Sequence, residues 1–148
     1  TSLETRGYVA MSANLGYELD LTRCSQEELK QIKQQIDFYK TIRETIQFGR
    51  FFRIKNPFDG NLAQWNFVSE DGKDVVGFYF EILSRPASPV QIMKLKGLEC
   101  DAYYQDMETG NIYVGDELMY SGISITLCKQ DFRIKCYHFQ RIDENSFL

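Results

Sequence analysis

The hydrophobic spacing of this chain changes period once, at Gly49, and that change limits the folds open to it. Upstream, Leu29, Ile32, Ile36, Tyr39, Ile42 and Ile46 recur at steps of three and four, with Lys30, Lys33, Gln34, Asp37 and Lys40 between them. Such spacing describes a helix with one dry stripe and one wet face. Its start is marked by Ser25 and Glu28, a capping box: the serine hydroxyl accepts from the backbone N–H of residue 28, and the glutamate reaches back to that of the serine. Gly49 is placed to end the helix.

After Gly49 the apolar residues fall into short runs, at 51–54, 62–68, 75–83, 90–95, 102–105, 111–114, 123–127 and 132–142. Turn chemistry separates them. "SEDGKD" at 69–74 and "ETGN" at 108–111 are hairpin turns in which Gly72 and Gly110 can take positive φ. "RPASP" at 85–89 cannot continue a central ladder, because Pro86 and Pro89 have no N–H to donate. Eleven Phe, nine Tyr and one Trp suit half-buried pleated surfaces. The expected fold is mainly β, with an antiparallel β-sandwich over 50–148. The last run alternates Ile134, Cys136 and His138 against Lys135, Tyr137 and Phe139, and both sides are mixed, so neither is identifiable as the inner one. "DENSFL" at 143–148 reads as a fraying tail.

Residues 1–49 pose a different problem. They read as one apolar strand at 8–12, a polar connection and the long helix. A single β–α unit cannot bury both strand faces and a helix stripe, so this segment is expected to be a remnant of a larger α/β body.

Charge and cysteine usage exclude several functions. Seventeen basic against twenty-one acidic residues give a net charge of −4 with no basic stripe, which removes the electrostatic footing for nucleic acid. No apolar run is long enough to span a bilayer, so no membrane partner is expected. Cys24, Cys100, Cys128 and Cys136 lack metal-ligand spacing, and His138 is the only histidine, so no metal or cofactor is expected. Unpaired thiols in a reducing compartment, together with the lack of a visible signal peptide, point to the cytoplasm.

The usual catalytic motifs are missing: there is no GxSxG, no phosphate-binding glycine loop and no HExxH. Glu18 and Asp20 would share a side of an extended segment, the arrangement a retaining glycosidase needs of its two carboxylates. A loop or cap role before the helix is the plainer reading. Asp116 and Glu117 are expected to open a short helical turn, and Glu70 and Asp71 to lie on turn surface. Trp65 reads as core or sheet face, with a sugar-stacking platform as the alternative.

Five stretches carry a resemblance: "TSLETRGYVAMSANLGYELDLT", "YKTIRETIQFGRFFRIKNPFDGN", "WNFVSEDGKDVVGFY", "RPASPVQIMKLKGL" and "YYQDMETGNIYVGDELMYSGI". Together they resemble the C-terminal end of the bacterial α-galactosidases of glycoside hydrolase family thirty-six, in order, from about residue 2 to residue 142. The resemblance implies a retaining enzyme that removes terminal α-galactosyl groups from melibiose- and raffinose-type oligosaccharides. In such enzymes an N-terminal supersandwich and a (β/α)8 barrel precede a C-terminal sandwich. Residues 1–49 would then be the last β–α unit of the barrel, and 50–148 the C-terminal domain.

The family's nucleophile lies in a "KWD" motif and its acid/base in a separate barrel segment, both upstream of residues like these. No catalytic residue is therefore assigned in this chain, which is expected to be inactive alone as a C-terminal fragment. Tyr8 and Ala13 stand where many relatives have histidine and glycine. Barrel active sites lie at the C-terminal ends of strands, which would place Ser12, Ala13 and Asn14 nearest the pocket and makes Asn14 the candidate substrate-binding residue, with orienting the loop before the helix as the plainer reading. The implied partners are the rest of the enzyme and, through it, an α-galactoside. A carbohydrate-binding sandwich module and homo-oligomeric assembly are the competing readings.

Overall fold

The computed structural model describes residues 1–85, 90–125 and 130–143. The ladder break expected at Pro86 and Pro89, the end of the seventh run at 126–127, Cys128 and the tail beyond Asp143 lie outside the described residues.

Local signals hold wherever both partners are near in sequence. Helix α2, Gln26–Phe48, opens on the expected capping box: Ser25 Oγ accepts from Glu28 N at 3.2 Å, and Ser25 N donates to Glu28 Oε2 at 2.8 Å. Gly49 ends it in extended backbone, not in a left-handed turn. Glycine is required there by crowding, since a Cβ would lie 2.3 Å from the carbonyl oxygen of Thr45 and 2.7 Å from that of Val68.

The expected strand at 8–12 is a helix instead. Helix α1 spans Leu3–Met11, capped by Ser2, whose Oγ accepts from Thr5 N at 3.1 Å. A short apolar run does not by itself distinguish strand from buried helix. An unpaired strand would leave its N–H and C=O groups without partners, whereas a helix satisfies them within the segment. The step from Gly7 to Met11, both buried, places one face of α1 inward at helical spacing. Residues 1–49 are thus α1, a single 3-10 turn at Leu21–Arg23 and α2, with no β–α unit.

Among the described residues eight strands follow: β1 Arg50–Lys55, β2 Leu62–Val68, β3 Asp74–Glu81, β4 Gln91–Met93, β5 Tyr103–Asp106, β6 Ile112–Val114, β7 Ile123–Ile125 and β8 Arg133–Ile142. Gly72 and Gly110, with φ of 71° and 77°, turn the β2–β3 and β5–β6 hairpins as expected. Six strands form one antiparallel sheet in the order β1-β2-β3-β8-β5-β6, and β4 pairs with β7 separately. A wide turn of π-helix follows Asp116, at Glu117–Ser121.

The sandwich is therefore unequal, six strands against two, and the large sheet is covered on both faces. One core joins Val75, Tyr79, Tyr137 and Phe139 to Met93, Leu95, Leu118 and Ile125 of the smaller layer. The other joins Val76, Phe78, Phe80 and Cys136 to Met11, Ile42 and Ile46 of the helices. This double cover explains why the two sides of β8 look alike in sequence: over Cys136–Phe139 both sides are buried. Between the β layers, the side chain of Asn66, fully buried, accepts from Lys96 N at 3.0 Å and donates to Lys96 O at 2.9 Å. That exchange satisfies an amide in the interior, where an unpaired one is costly.

Candidate functional site

The residues singled out in the sequence do not converge on one site. Asn14 is exposed and its Oδ1 accepts from Gln47 Nε2 of α2 at 3.1 Å, beside Leu15, Tyr39 and Arg43. Asp20 caps the 3-10 turn, accepting from Thr22 N at 3.0 Å and pairing with Arg23 at 3.2 Å, while Glu18 stands exposed. The cap reading of this carboxylate holds. Trp65 is half-buried and stacks on Phe80 with ring centroids 4.6 Å apart, so that ring face is already occupied.

A concavity lies elsewhere, between the helices and β8. It encloses about 840 Å³. Helix α1 contributes Glu4, Tyr8 and Met11; α2 contributes Gln31, Gln34, Phe38 and Thr41; the β5–β6 turn and β8 supply Met107, Glu108, Lys135, Cys136, His138 and Gln140. Helical spacing explains the α2 set, because residues three and four apart share a face. Gln35 holds the two helices in place at its edge: its Nε2 donates to Leu3 O at 3.2 Å, its Oε1 accepts from Tyr17, and a Cβ on Gly7 would collide with it.

Electrostatics in the cleft favour neutral forms. Burial, followed by the nearby Cys136, Glu4 and Glu108, pushes the Tyr8 phenol up to about 12. Burial raises the Cys136 thiol well above the ordinary range, so it stays protonated and unreactive. Glu108 pairs with Lys135 at 2.7 Å. Side-chain amides around an apolar floor can hydrogen-bond a neutral polar chain, but the charged groups are already committed or far from an acid/base pairing.

At the inner end sits a polar network that sequence inspection missed. His138 Nε2 lies 2.7 Å from Asp74 Oδ1, which also accepts from Gln140 Nε2 at 3.2 Å, while Asp74 Oδ2 accepts from Thr45 of α2. Burial alone would raise the Asp74 carboxyl, yet the hydrogen bonds from His138 and Thr45 and the His138 charge outweigh it, and its pKa lies below the ordinary value. The only signal in the sequence was that Cys136 and His138 share a side of β8.

A carboxyl depressed in the folded state contributes stability that is complete above the ordinary carboxylate value, about 3.9, and is lost as pH falls through the folded value. Asp74→Asn should therefore lower stability by about 1–2 kcal/mol at neutral pH, the difference between a charged and a neutral set of hydrogen bonds. Urea unfolding of both proteins across the acid range tests this. The gap should close once the wild-type carboxyl is protonated; a gap that does not change with pH would refute the assignment.

Among the described residues, no three His, Cys, Asp or Glu side chains are grouped closely enough to hold a metal ion. Nor is any helix there long and apolar enough to cross a membrane. Cys24, Cys100 and Cys136 are free thiols.

Comparison with known proteins gives a consistent result. The family model "Glycosyl hydrolase family 36 C-terminal domain" matches residues 62–139, and the "Melibiase" model matches residues 1–49. Alpha-galactosidase AgaA of Geobacillus stearothermophilus is 45% identical over 131 residues, 88% of this chain and 18% of that protein. Alpha-galactosidase 1 of Pediococcus pentosaceus is 41% identical over 145 residues, 98% of this chain and 20% of that protein. The chain thus spans about a fifth of the length of these relatives. The crystal structure of AgaA superposes with a TM-score of 0.92 at 42% identity, covering 96% of this chain and 20% of the other. Structures of AgaA variants have been determined in complex with raffinose and with stachyose.

Proposed function

Since the chain belongs to glycosyl hydrolase family 36, matching its C-terminal domain, we propose that it serves as the C-terminal part of a retaining α-galactosidase acting on raffinose- and melibiose-type oligosaccharides. Its own task is structural. Residues 1–49 extend the catalytic barrel, and residues 50–148 form the domain that buttresses it. The observation that carries this reading is the match of 41% identity over 145 residues, 98% of the chain, which runs across both segments.

The surface of the helical layer supports the same division. Ile32, Ile42 and Ile46 of the α2 stripe are buried, yet Val9, Leu19, Leu21 and Phe48 are exposed, and Leu29, Ile36 and Tyr39 are half-buried. An apolar surface of this kind is expected where another part of a protein docks. The engaged carboxylates point the same way: Asp20 caps a turn, Asp74 holds a network, Glu81 pairs with Arg133, and Asp106 accepts from Glu108 N at 2.9 Å. In this reading the two catalytic aspartates belong to the barrel. Asn14, fixed by Gln47, stands at the margin of the sugar site, the exposed apolar surface also serves homo-oligomeric contacts, and the free thiols fit a cytoplasmic protein.

The reading is tested by exchange. The purified chain should give no turnover of a nitrophenyl α-galactoside above background. AgaA whose matching C-terminal fifth is replaced by this chain should release galactose from raffinose, whereas AgaA simply lacking that fifth should not. Turnover by the chain alone would refute the proposal.

A further inference from the structure

The chain contains two Asp-Gly steps, Asp59-Gly60 and Asp71-Gly72, and the fold treats them oppositely. An Asp-Gly bond rearranges when the glycine backbone nitrogen attacks the aspartate Cγ. Glycine permits the approach because it has no side chain and a wide range of backbone angles. Reaction therefore needs a free carboxyl, a free N–H and room to move.

At Asp71-Gly72 both reacting groups are engaged. Asp71 Oδ1 accepts from Ser69 Oγ at 2.7 Å and from Lys73 N at 3.0 Å, and Gly72 N donates to Ser69 O at 2.9 Å. The β2–β3 hairpin clamps this turn from both sides. At Asp59-Gly60, in the loop between β1 and β2, neither the Asp59 carboxylate nor the Gly60 N–H has a hydrogen-bond partner among the described residues. Both residues are exposed, no atom lies within 4 Å of the Gly60 Cβ position, and the preceding Phe58 is 90% exposed. The loop's hydrogen bonds run through Asn56, which accepts from Phe58 N at 3.3 Å and Asp59 N at 3.2 Å, and through Asn61, which accepts from Leu83 N at 2.7 Å and from Ile82 N at 2.9 Å and donates to Leu83 O at 2.6 Å; none engages the Asp59 carboxyl or the Gly60 N–H.

From this contrast we infer that Asp59 is a site of spontaneous isomerisation to isoaspartate, and that Asp71 is protected by its hydrogen bonds. The Gly60 nitrogen forms a bond to Cγ of Asp59 in its carboxylic acid form, and the acid hydroxyl leaves as water with the proton lost from nitrogen. The product is a five-membered succinimide. Water then opens either carbonyl, returning aspartate or giving the β-linked isomer, so the net change is a rearrangement without change in mass or redox state. The product carries one extra backbone methylene in the loop and a carboxylate one bond closer to the chain, the chemistry read by isoaspartyl methyltransferases.

The test is ageing of the folded chain at physiological temperature, followed by proteolysis and mass spectrometry with electron-transfer fragmentation, and by transfer of labelled methyl groups from a purified isoaspartyl methyltransferase. Isoaspartate should accumulate several-fold faster at position 59 than at 71. In urea-unfolded chain the two positions should react at similar rates, because the protection at 71 is structural. Asp59→Glu should abolish the folded-state signal, and Ser69→Ala should raise conversion at 71. Equal conversion at both positions in the folded chain, or no conversion at 59 while the unfolded control reacts, would overturn the inference.

Discussion

Arg133→Met is expected to destabilise the chain by about 3–5 kcal/mol, while the double variant Glu81→Met with Arg133→Met recovers most of that loss. Glu81 and Arg133 face each other across β3 and β8, joined by a short ion pair, and their side chains are only 3% and 9% exposed. Removing the guanidinium leaves a carboxylate in the interior with no cation. Removing both charges leaves apolar side chains where apolar side chains are tolerated. The pair is not ideally satisfied, since Arg133 Nε is buried without a hydrogen-bond partner, which is a further reason for the double variant to fold. A domain has about 5–15 kcal/mol of total stability, so the single variant should lose a large fraction of it. Urea titration of the two single variants and the double variant settles the matter: a double variant as unstable as Arg133→Met would show that the charges were not what mattered.

Phe78→Ala should cost a similar amount, about 3–5 kcal/mol, through the cavity it leaves. Phe78 is fully buried at the centre of the sheet face that meets the helices. It lies 6.3 Å from Trp65, Phe67 and Phe80 by ring centroids, and these rings cannot close over the space without losing their own contacts. Trp65 reports on the site directly through its fluorescence. Phe78→Leu, which refills most of the volume, should recover more than half of the loss. A loss below about 1 kcal/mol for the alanine variant would mean that this core relaxes freely, contrary to close packing.

Legibility of the fold tracked distance along the chain. The capping box at Ser25 and Glu28 and the hairpin glycines Gly72 and Gly110 are local devices whose partners sit within a few residues, and each behaves as its sequence requires. The strand runs were legible because turn residues bound them. Helix α1 replaces the expected strand because Tyr8-Val9-Ala10-Met11 is apolar under any period, and because a strand there has no neighbour to pair with among the described residues. The sides of β8 were unreadable for a related reason: alternation identifies an inner face only when the other face meets water.

The candidate site was less legible. His138 and Asp74 are 64 residues apart and Thr45 and Asp74 are 29 apart, so no spacing rule joins them. The cleft gathers residues from α1, α2, the β5–β6 turn and β8, four segments whose proximity exists only in the fold. Asn14 was a substrate-binding candidate because it follows the strand expected at 8–12; that segment is helix α1, and the side chain of Asn14 accepts from Gln47 of α2.

By itself the sequence determined the caps, the turns, the strand runs and the family, because these depend on short-range backbone chemistry or on the order of residues along the chain. Tertiary structure decided that α1 is a helix, that the sheet is covered on both faces, that Glu81 is buried with Arg133, and that one Asp-Gly step is clamped while the other is free. Each of these outcomes depends on which groups lose water and which partners they meet in its place, and that exchange is settled only when distant segments pack together.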